Sequence, residues 1–356
     1  MKTRDVIVIG GGIIGLSLSI ELRKQGASVL VVERGEPGRE ASHAAGGMLA
    51  NFGDEIPPLL QKLATASADM YPEFVHELQD ESGVNVDLRA DGTLLFPAEG
   101  HSPESIPGAQ PLPRPLSELE PALFTGGRPG VFLNERSVCP RALTHAAFKA
   151  AKHREVDFAT GSTVVSVDIS EGRAIGVTTT QTSYRAGRVV NCAGAWAGQI
   201  PPYDFPVRPV KGQMLCFAMS SRDLLRHVVR SLEIYLIPRS DGRLLAGATV
   251  EEAGYDKRTV PETVQQLHRA AVGLLPELRN ARLLEAWAGL RPGTPDNLPI
   301  LGATPTRGYY VASGHFRDGI LLAPVTAMVM AQILRGCTPE YDLSPFSMER
   351  FAVRAA

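Results

Sequence analysis

The chain lacks most of what would commit it to a disulfide framework, a metal, a nucleic acid or a bilayer. It has four cysteines in 356 residues, Cys139, Cys192, Cys216 and Cys337. They lie far apart, form no C-x-x-C pair and stand at no metal-ligand spacing with histidine. That usage reads as a reduced, cytoplasmic protein without structural disulfides. The eight histidines include no H-x-x-x-H pair, so no metal is expected. A charge excess is missing too. The formal net charge is −2, which offers no basic field to a nucleic acid or an anionic membrane. No apolar run reaches the roughly 20 residues of a membrane span. The run Val6 to Ile20 holds four glycines and no cleavage motif, and Glu21, Arg23 and Lys24 follow it. It reads as the first strand and helix of a fold, not as a signal peptide.

What remains is ordinary: 44% hydrophobic and 21% charged residues. That is enough for a core without staples, and the length fits about two domains.

The informative stretch is Asp5-Val6-Ile7-Val8-Ile9-Gly10-Gly11-Gly12-Ile13-Ile14-Gly15, followed by Val29-Leu30-Val31-Val32-Glu33. It reads as strand, glycine turn, helix, and a second strand closed by an acid. Gly10 permits the tight turn, Gly12 leaves room for a pyrophosphate, and Gly15 lets the helix pack on the strand. The helix N-terminus presents N–H groups and positive partial charge to phosphates. Glu33 stands where it accepts hydrogen bonds from a ribose 2′-OH. The plain alternative, a glycine-rich turn in an ordinary βαβ unit, leaves Glu33 unexplained.

Further along, Ala41 to Ala50 is rich in small residues and suited to close contact with a ligand. Residues 57 to 81 pattern as a helix with Leu59, Leu60, Leu63, Tyr71, Phe74, Val75 and Leu78 inward. Val84 to Phe96 reads as strands around Asp91-Gly92, and Pro97 to Pro121, with seven prolines, as a loop. A helix is expected from Pro140 to 151, and β-branched strands from Val164 to Val190. The strand before Gly194 ends in small residues that can lie close to a cofactor. More strands are expected at Val207 to Phe217, Ile234 to Pro238, Arg243 to Val250 and Leu283 to Leu290, with a helix over Pro261 to Leu275. The last unit is a strand at Tyr309, a glycine-bearing loop from Gly314 to Gly319, and an apolar helix from Ile320 to Leu334. A βαβ unit at one end and a strand–loop–helix unit at the other point to one α/β domain built from both ends. A strand-rich domain is inserted between them.

Several separated motifs then agree: the glycine turn with Glu33-Arg34, the Ser42 to Leu49 loop, and Asn191-Cys192-Ala193-Gly194-Ala195-Trp196. Also present are Ile234 to Arg239, Gly289-Leu290-Arg291-Pro292 with Thr294-Pro295-Asp296, and Gly314-His315-Phe316-Arg317-Asp318-Gly319-Ile320-Leu321-Leu322-Ala323-Pro324. Together they resemble the D-amino-acid oxidase superfamily of FAD enzymes over nearly the whole chain. Within it they are most similar to glycine oxidases of the thiamine-biosynthesis type.

The resemblance implies a Rossmann-like FAD-binding domain from residues 1–81, 140–203 and 291–356. It implies a substrate-binding domain with a mixed, largely antiparallel sheet from 82–139 and 204–290. It implies FAD rather than NAD, held non-covalently, because Gly289 stands about where sarcosine oxidases carry the flavin-linking cysteine. For the cofactor it points to Gly10, Gly12, Ile13, Ile14 and Gly15 at the pyrophosphate turn, and to Glu33 and Arg34 at the adenosine end. Ala41, Ser42, Gly46, Gly47 and Met48 would run beside the pyrophosphate and flavin. Val164 would meet adenine through its backbone, and Gly194 would lie close by. The loop His315, Phe316, Arg317, Asp318, Gly319, Ile320 and Leu321 would face the flavin, with His315 acting through its backbone.

For the substrate the resemblance points to Arg291 as the carboxylate partner and to Tyr235 as its hydroxyl neighbour. A guanidinium offers two parallel donors to a carboxylate. Arg317 would bind substrate or brace the flavin loop. The implied reaction is hydride transfer from glycine or another small amine or D-amino acid to FAD. Oxygen reoxidises the cofactor to give H2O2, and thiamine thiazole synthesis is one implied fate of the imine product among others. A homo-oligomer, by resemblance a tetramer, is expected. A D-amino-acid dehydrogenase, or a sarcosine- or proline-type oxidase, is the alternative enzyme. A tRNA-modifying flavoprotein is disfavoured by the missing basic patch, and a non-catalytic scaffold by the intact Tyr235 and Arg291. Two departures from relatives stand out: the proline-rich 97–121 segment, and Glu233 where some glycine oxidases carry histidine.

Overall fold

The computed structural model describes residues 3–53, 56–97 and 106–351. An eight-stranded sheet runs in the order Ile300–Ala303, Tyr309–Ser313, Ser183–Asn191, Arg4–Ile9, Val29–Glu33, Asp157–Thr160. Arg173–Thr179 and Val164–Ser170 continue from Ser183–Asn191 as an antiparallel arm. The pairings from Tyr309–Ser313 across to Asp157–Thr160 are all parallel. A parallel sheet is covered on both faces, which explains the unbroken apolar runs Val6–Ile9 and Val29–Val32.

One face carries the helices Ile13–Lys24, Gln61–Ser82, Pro140–His153 and Ala323–Leu334, packed through Val8, Val31, Leu16, Tyr71, Ala147 and Met330. The other face packs Ile7, Ile9, Leu30 and Val32 with Tyr203, Phe205 and Tyr309. The long helix contains Pro72, which has no N–H to offer the Ala68 carbonyl. Arg136 Nη1 donates to that carbonyl instead, at 3.2 Å, so the helix continues past the proline. It stops at Gly83, which adopts the left-handed conformation with φ +66°.

The second sheet has seven strands: Leu283–Gly293, Arg208–Ala218, Arg243–Gly247, Tyr235–Pro238, Val228–Ser231, Thr93–Phe96 and Val131–Leu133. Only the pairing of Val228–Ser231 with Thr93–Phe96 is parallel. Leu215, Phe217, Leu236 and Leu244 pack on Leu267, Ala271 and Leu274 of helix Pro261–Leu274. The opposite face presents Met214, Ile237 and Tyr235. Among the described residues no helix is long and apolar enough to cross a membrane.

Several expectations need adjustment. The last helix begins at Ala323, not Ile320; residues 319–322 form turns. Pro324 marks the boundary, since proline fits the first helical turn, where its missing N–H costs nothing. Val84 to Phe96 contains two short strands, Leu88–Arg89 and Thr93–Phe96. The strand expected to end at Leu290 runs on to Gly293, and the one expected to reach Val250 ends at Gly247. Of the proline-rich loop, residues 98–105 lie outside the described residues. The remainder is not wholly irregular: Leu116–Leu119 is a short helix and Gln110 bridges Phe132.

Candidate active site

The glycine turn after Arg4–Ile9 is shaped by close approach. Gly10 has φ +103°, and a Cβ there would stand 2.5 Å from the Cys192 carbonyl oxygen. A Cβ on Gly15 would run into the Gly10 carbonyl, so Gly15 is what lets the helix start against the strand. Gly12 differs. A Cβ there would meet only Ser42 Oγ, at 3.3 Å, because Gly12 faces a cavity. The helix lacks a side-chain cap from its own N-cap residue. Ser42, on a separate segment, supplies one: its Oγ accepts the Ile13 N–H at 2.9 Å. That donor therefore has a partner within the protein.

Glu33 Oε2 accepts the Gly11 N–H at 2.7 Å, and Oε1 accepts the Gly35 N–H at 2.9 Å. The carboxylate is thus fixed, yet it keeps lone pairs for hydroxyl groups, since a carboxylate accepts about four hydrogen bonds. Arg34 stacks its guanidinium 3.4 Å from the Trp196 ring centroid and donates to Glu40 at 2.6 Å. Trp196, which sequence reading placed but gave no role, is half of this stacked wall.

The cavity measures about 740 Å³. Of the positions called for the cofactor and substrate, all but Gly15 and Leu321 line it. Gly15 works by packing. Leu321 is buried, and its carbonyl accepts the Ser67 hydroxyl at 2.6 Å. The neighbouring Ile320 carbonyl accepts the Tyr71 hydroxyl. The loop before the last helix is thus pinned from behind by the long helix, a support that helical periodicity could not reveal beyond marking Tyr71 as inward. Val164 lies at the cavity end near Glu33, and Gly194 lies beside Ser313, whose hydroxyl donates to its carbonyl at 3.0 Å.

The small-residue segment 41–48 forms one wall. Gly47 has φ +81°, and a Cβ there would stand 2.7 Å from Pro140 Cγ. The Gly46 carbonyl accepts Arg239 Nη2. Arg239 is almost wholly buried, which pulls its pKa below the usual arginine value. Trp287 Nε1 donates to the Ala44 carbonyl at 3.0 Å. A Cβ on Gly289 would overlap Ala44 Cβ, so any side chain at 289 must push this wall aside. His315 is buried, faces Thr326 Oγ1 at 3.2 Å, and has its pKa pulled down to about 3 by burial. It is a neutral imidazole at working pH.

The end of the cavity that the sequence assigns to the substrate is built across four strands. Arg291 lies on Leu283–Gly293 and Tyr235 on Tyr235–Pro238, with two strands between them. Those strands carry Gly212 and Gly247 at the crossing. A Cβ on Gly212 would stand 2.6 Å from Arg291 Cζ, and one on Gly247 would stand 3.1 Å from the Tyr235 hydroxyl. Two absent side chains let two long ones lie across the sheet and meet, the guanidinium donating a hydrogen bond to the tyrosine hydroxyl oxygen. Arg291 Nη1 also donates to the Thr249 carbonyl at 3.0 Å. Burial pulls its pKa below the usual arginine value, and the like charge of nearby Arg317 adds to this. Arg317 itself is exposed, with its guanidinium 5.5 Å from the Phe316 ring centroid. The structure brings the expected Arg291 and Tyr235 together; the two glycines were not expected, because a strand glycine carries no sign of what crosses it.

A fixed acid and a glycine turn at one end, and a buried arginine and a tyrosine at the other, span a single cavity. Residues 5–333 match the family model described as FAD dependent oxidoreductase. The chain belongs to this family. It is similar to the glycine oxidase of Pseudomonas putida, with 33% identity over 364 residues covering 98% of this chain and 99% of that protein. It is 34% identical over 368 residues to the bifunctional protein ThiO/ThiG of Trichormus variabilis, covering 99% of this chain and 56% of that protein. The chain thus spans about half the length of that relative. Among solved structures, the glycine oxidase of Geobacillus kaustophilus aligns with a TM-score of 0.91 at 29% identity, covering 98% of this chain and 99% of that one.

The residues of this flavoprotein fit FAD. The space that a side chain at position 12 would fill is open, Glu33 retains acceptor capacity, and segment 41–48 lines the cavity with small uncharged residues and Met48. The cavity continues unbroken from that turn to Arg291.

Proposed function

We propose that this flavoprotein oxidises glycine or another small amine or D-amino acid at its Cα–N bond. The imine product hydrolyses to a 2-oxo acid and ammonia, and oxygen is reduced to hydrogen peroxide. The meeting of Arg291 and Tyr235 over Gly212 and Gly247, inside the cavity that begins at the glycine turn, carries this reading. Bound FAD supplies the acceptor for the substrate's hydride.

The chain supplies position. Arg291 and Tyr235 hold the substrate carboxylate, which fixes the direction of the Cα–H bond. The Thr249 and Lys211 carbonyls hold the guanidinium in place. Arg317 adds a second positive charge at the same end. His315 stays neutral and buried, so it presents no charge and no base to the substrate. Gly10, Gly12 and Ile14 border the pyrophosphate, Glu33 takes the ribose, and Gly46 to Met48 with residues 315–320 flank the flavin.

The same reading divides the chain at the expected boundaries, 1–81, 140–203 and 291–356 against 82–139 and 204–290, with the last boundary moved beyond Gly293 to keep its strand whole. It also includes non-covalent FAD, a cytoplasmic location, a homo-oligomer and a supply of imine to thiamine thiazole synthesis.

Purified protein supplied with glycine in air is expected to form hydrogen peroxide and ammonia in equal amounts. Arg291→Ala is expected to raise KM by about a hundredfold, the loss of roughly 3 kcal/mol of charge-assisted hydrogen bonding. An unchanged KM would remove Arg291 from the carboxylate site. Dye reduction without oxygen uptake would make the protein a dehydrogenase.

A further inference from the structure

Strands Val228–Ser231 and Tyr235–Pro238 are joined by a tight turn whose tip is Leu232-Glu233. Ser231 and Ile234 close it: Ser231 N–H and Ser231 Oγ both donate to the Ile234 carbonyl, at 3.0 and 2.9 Å. The tip is therefore held in place although it is exposed. Both tip residues line the cavity. Glu233 has no hydrogen bond or ion pair among the described residues. Leu232 is 75% exposed, and Val250, which lines the same cavity, is 52% exposed. Apolar side chains this exposed beside a free carboxylate, at the mouth of a cavity with cationic groups further in, form a surface of definite chemistry. It suits a methylene stem that ends in a cation.

Resting on the substrate reading above, we propose that Glu233 is a specificity-determining residue. It favours amino acids with a long aliphatic side chain tipped by an ammonium or guanidinium group over those with a distal carboxylate. The α-carboxylate sits on Arg291 and Tyr235, the stem runs past Leu232 and Val250, and the terminal cation reaches Glu233. The reaction is unchanged: the Cα–H leaves as hydride to FAD, the amine becomes an imine, and oxygen takes the electrons. Only the choice of side chain is new. Opposite charges attract the lysine type and repel the glutamate type at the same position, so discrimination comes from both signs.

The test uses the FAD-loaded enzyme with both enantiomers of lysine, norleucine and glutamate, and with glycine as the control for the underlying activity. Anaerobic flavin bleaching gives the rate of reduction, and the spectral shift on binding gives affinity. The expected order of kcat/KM is lysine, norleucine, glutamate. Glu233→Gln is expected to lower the lysine-to-norleucine ratio by about tenfold, and Glu233→Lys to reverse the order of lysine and glutamate. In the unaltered enzyme, added salt should raise KM for lysine more than for norleucine. If glycine bleaches the flavin but Glu233→Gln leaves the ratio within twofold, Glu233 does not meet the substrate and the proposal fails alone. If no amino acid bleaches the flavin, glycine included, the substrate reading fails and takes this proposal with it.

Discussion

Arg291 lies flat over Gly212, on the neighbouring strand, so closely that a Cβ at 212 would stand 2.6 Å from the guanidinium carbon. The proposed carboxylate partner is thus placed by a residue that has no side chain of its own. A guanidinium forced off the sheet would lose its hold on the Thr249 carbonyl and its approach to Tyr235.

Gly212→Ala is therefore expected to raise KM for glycine tenfold or more, about 1.4 kcal/mol of lost binding, while kcat changes less. Steady-state kinetics against glycine concentration checks this. A KM within twofold of the unaltered enzyme would mean that the guanidinium has room to spare.

Ser42 caps a helix from a distant segment by accepting the Ile13 N–H. Ser42→Ala is expected to cost about 1 kcal/mol of stability, the usual loss for a removed N-terminal cap. It should show as a lower urea midpoint at fixed, saturating FAD. An unchanged midpoint would mean that water or the cofactor serves the Ile13 donor equally well.

His315 makes stability depend on pH in a known direction. In the unfolded chain its imidazole takes a proton below about pH 6.5, whereas in the fold burial holds its pKa near about 3. Between those values the unfolded state binds more protons, so stability falls as the pH is lowered. From pH 7 to pH 5 the unaltered protein should lose about 2 kcal/mol more than His315→Gln, which cannot titrate. Urea unfolding of both proteins at the two pH values measures the difference, and equal losses would place the imidazole in contact with water.

Gly289 packs against Ala44, leaving no room for a linking side chain. Acid precipitation is expected to leave all the flavin in the supernatant, and Gly289→Ala to lower the FAD content of purified protein by pushing the 41–48 wall inward. Flavin in the pellet would contradict non-covalent binding.

The motifs that touch backbone were legible in the sequence. Gly10, Gly12, Gly15 and Glu33 declare themselves, because a turn, a close approach and a strand-end acid each demand one residue type at one spacing. Arg291 and Tyr235 were legible only through family resemblance, since nothing local separates them from any strand arginine or core tyrosine. Gly212 and Gly247 stayed hidden because their meaning lies in the partners of non-adjacent strands. The start of the last helix was misplaced by three residues because the apolar run begins before Pro324, and apolarity outweighed the proline signal. Trp196 and Ser42 were noticed as part of small-residue segments, but their partners, Arg34 and Ile13, become apparent only once the segments are brought together.

The most direct measurement is the visible spectrum of the purified protein before and after anaerobic addition of glycine. The expected result is oxidised flavin bands that bleach with glycine and return on admitting air. Bands that stay unchanged with glycine and with every D-amino acid and N-methyl amine tried, or no flavin bands even after FAD is added, would contradict it.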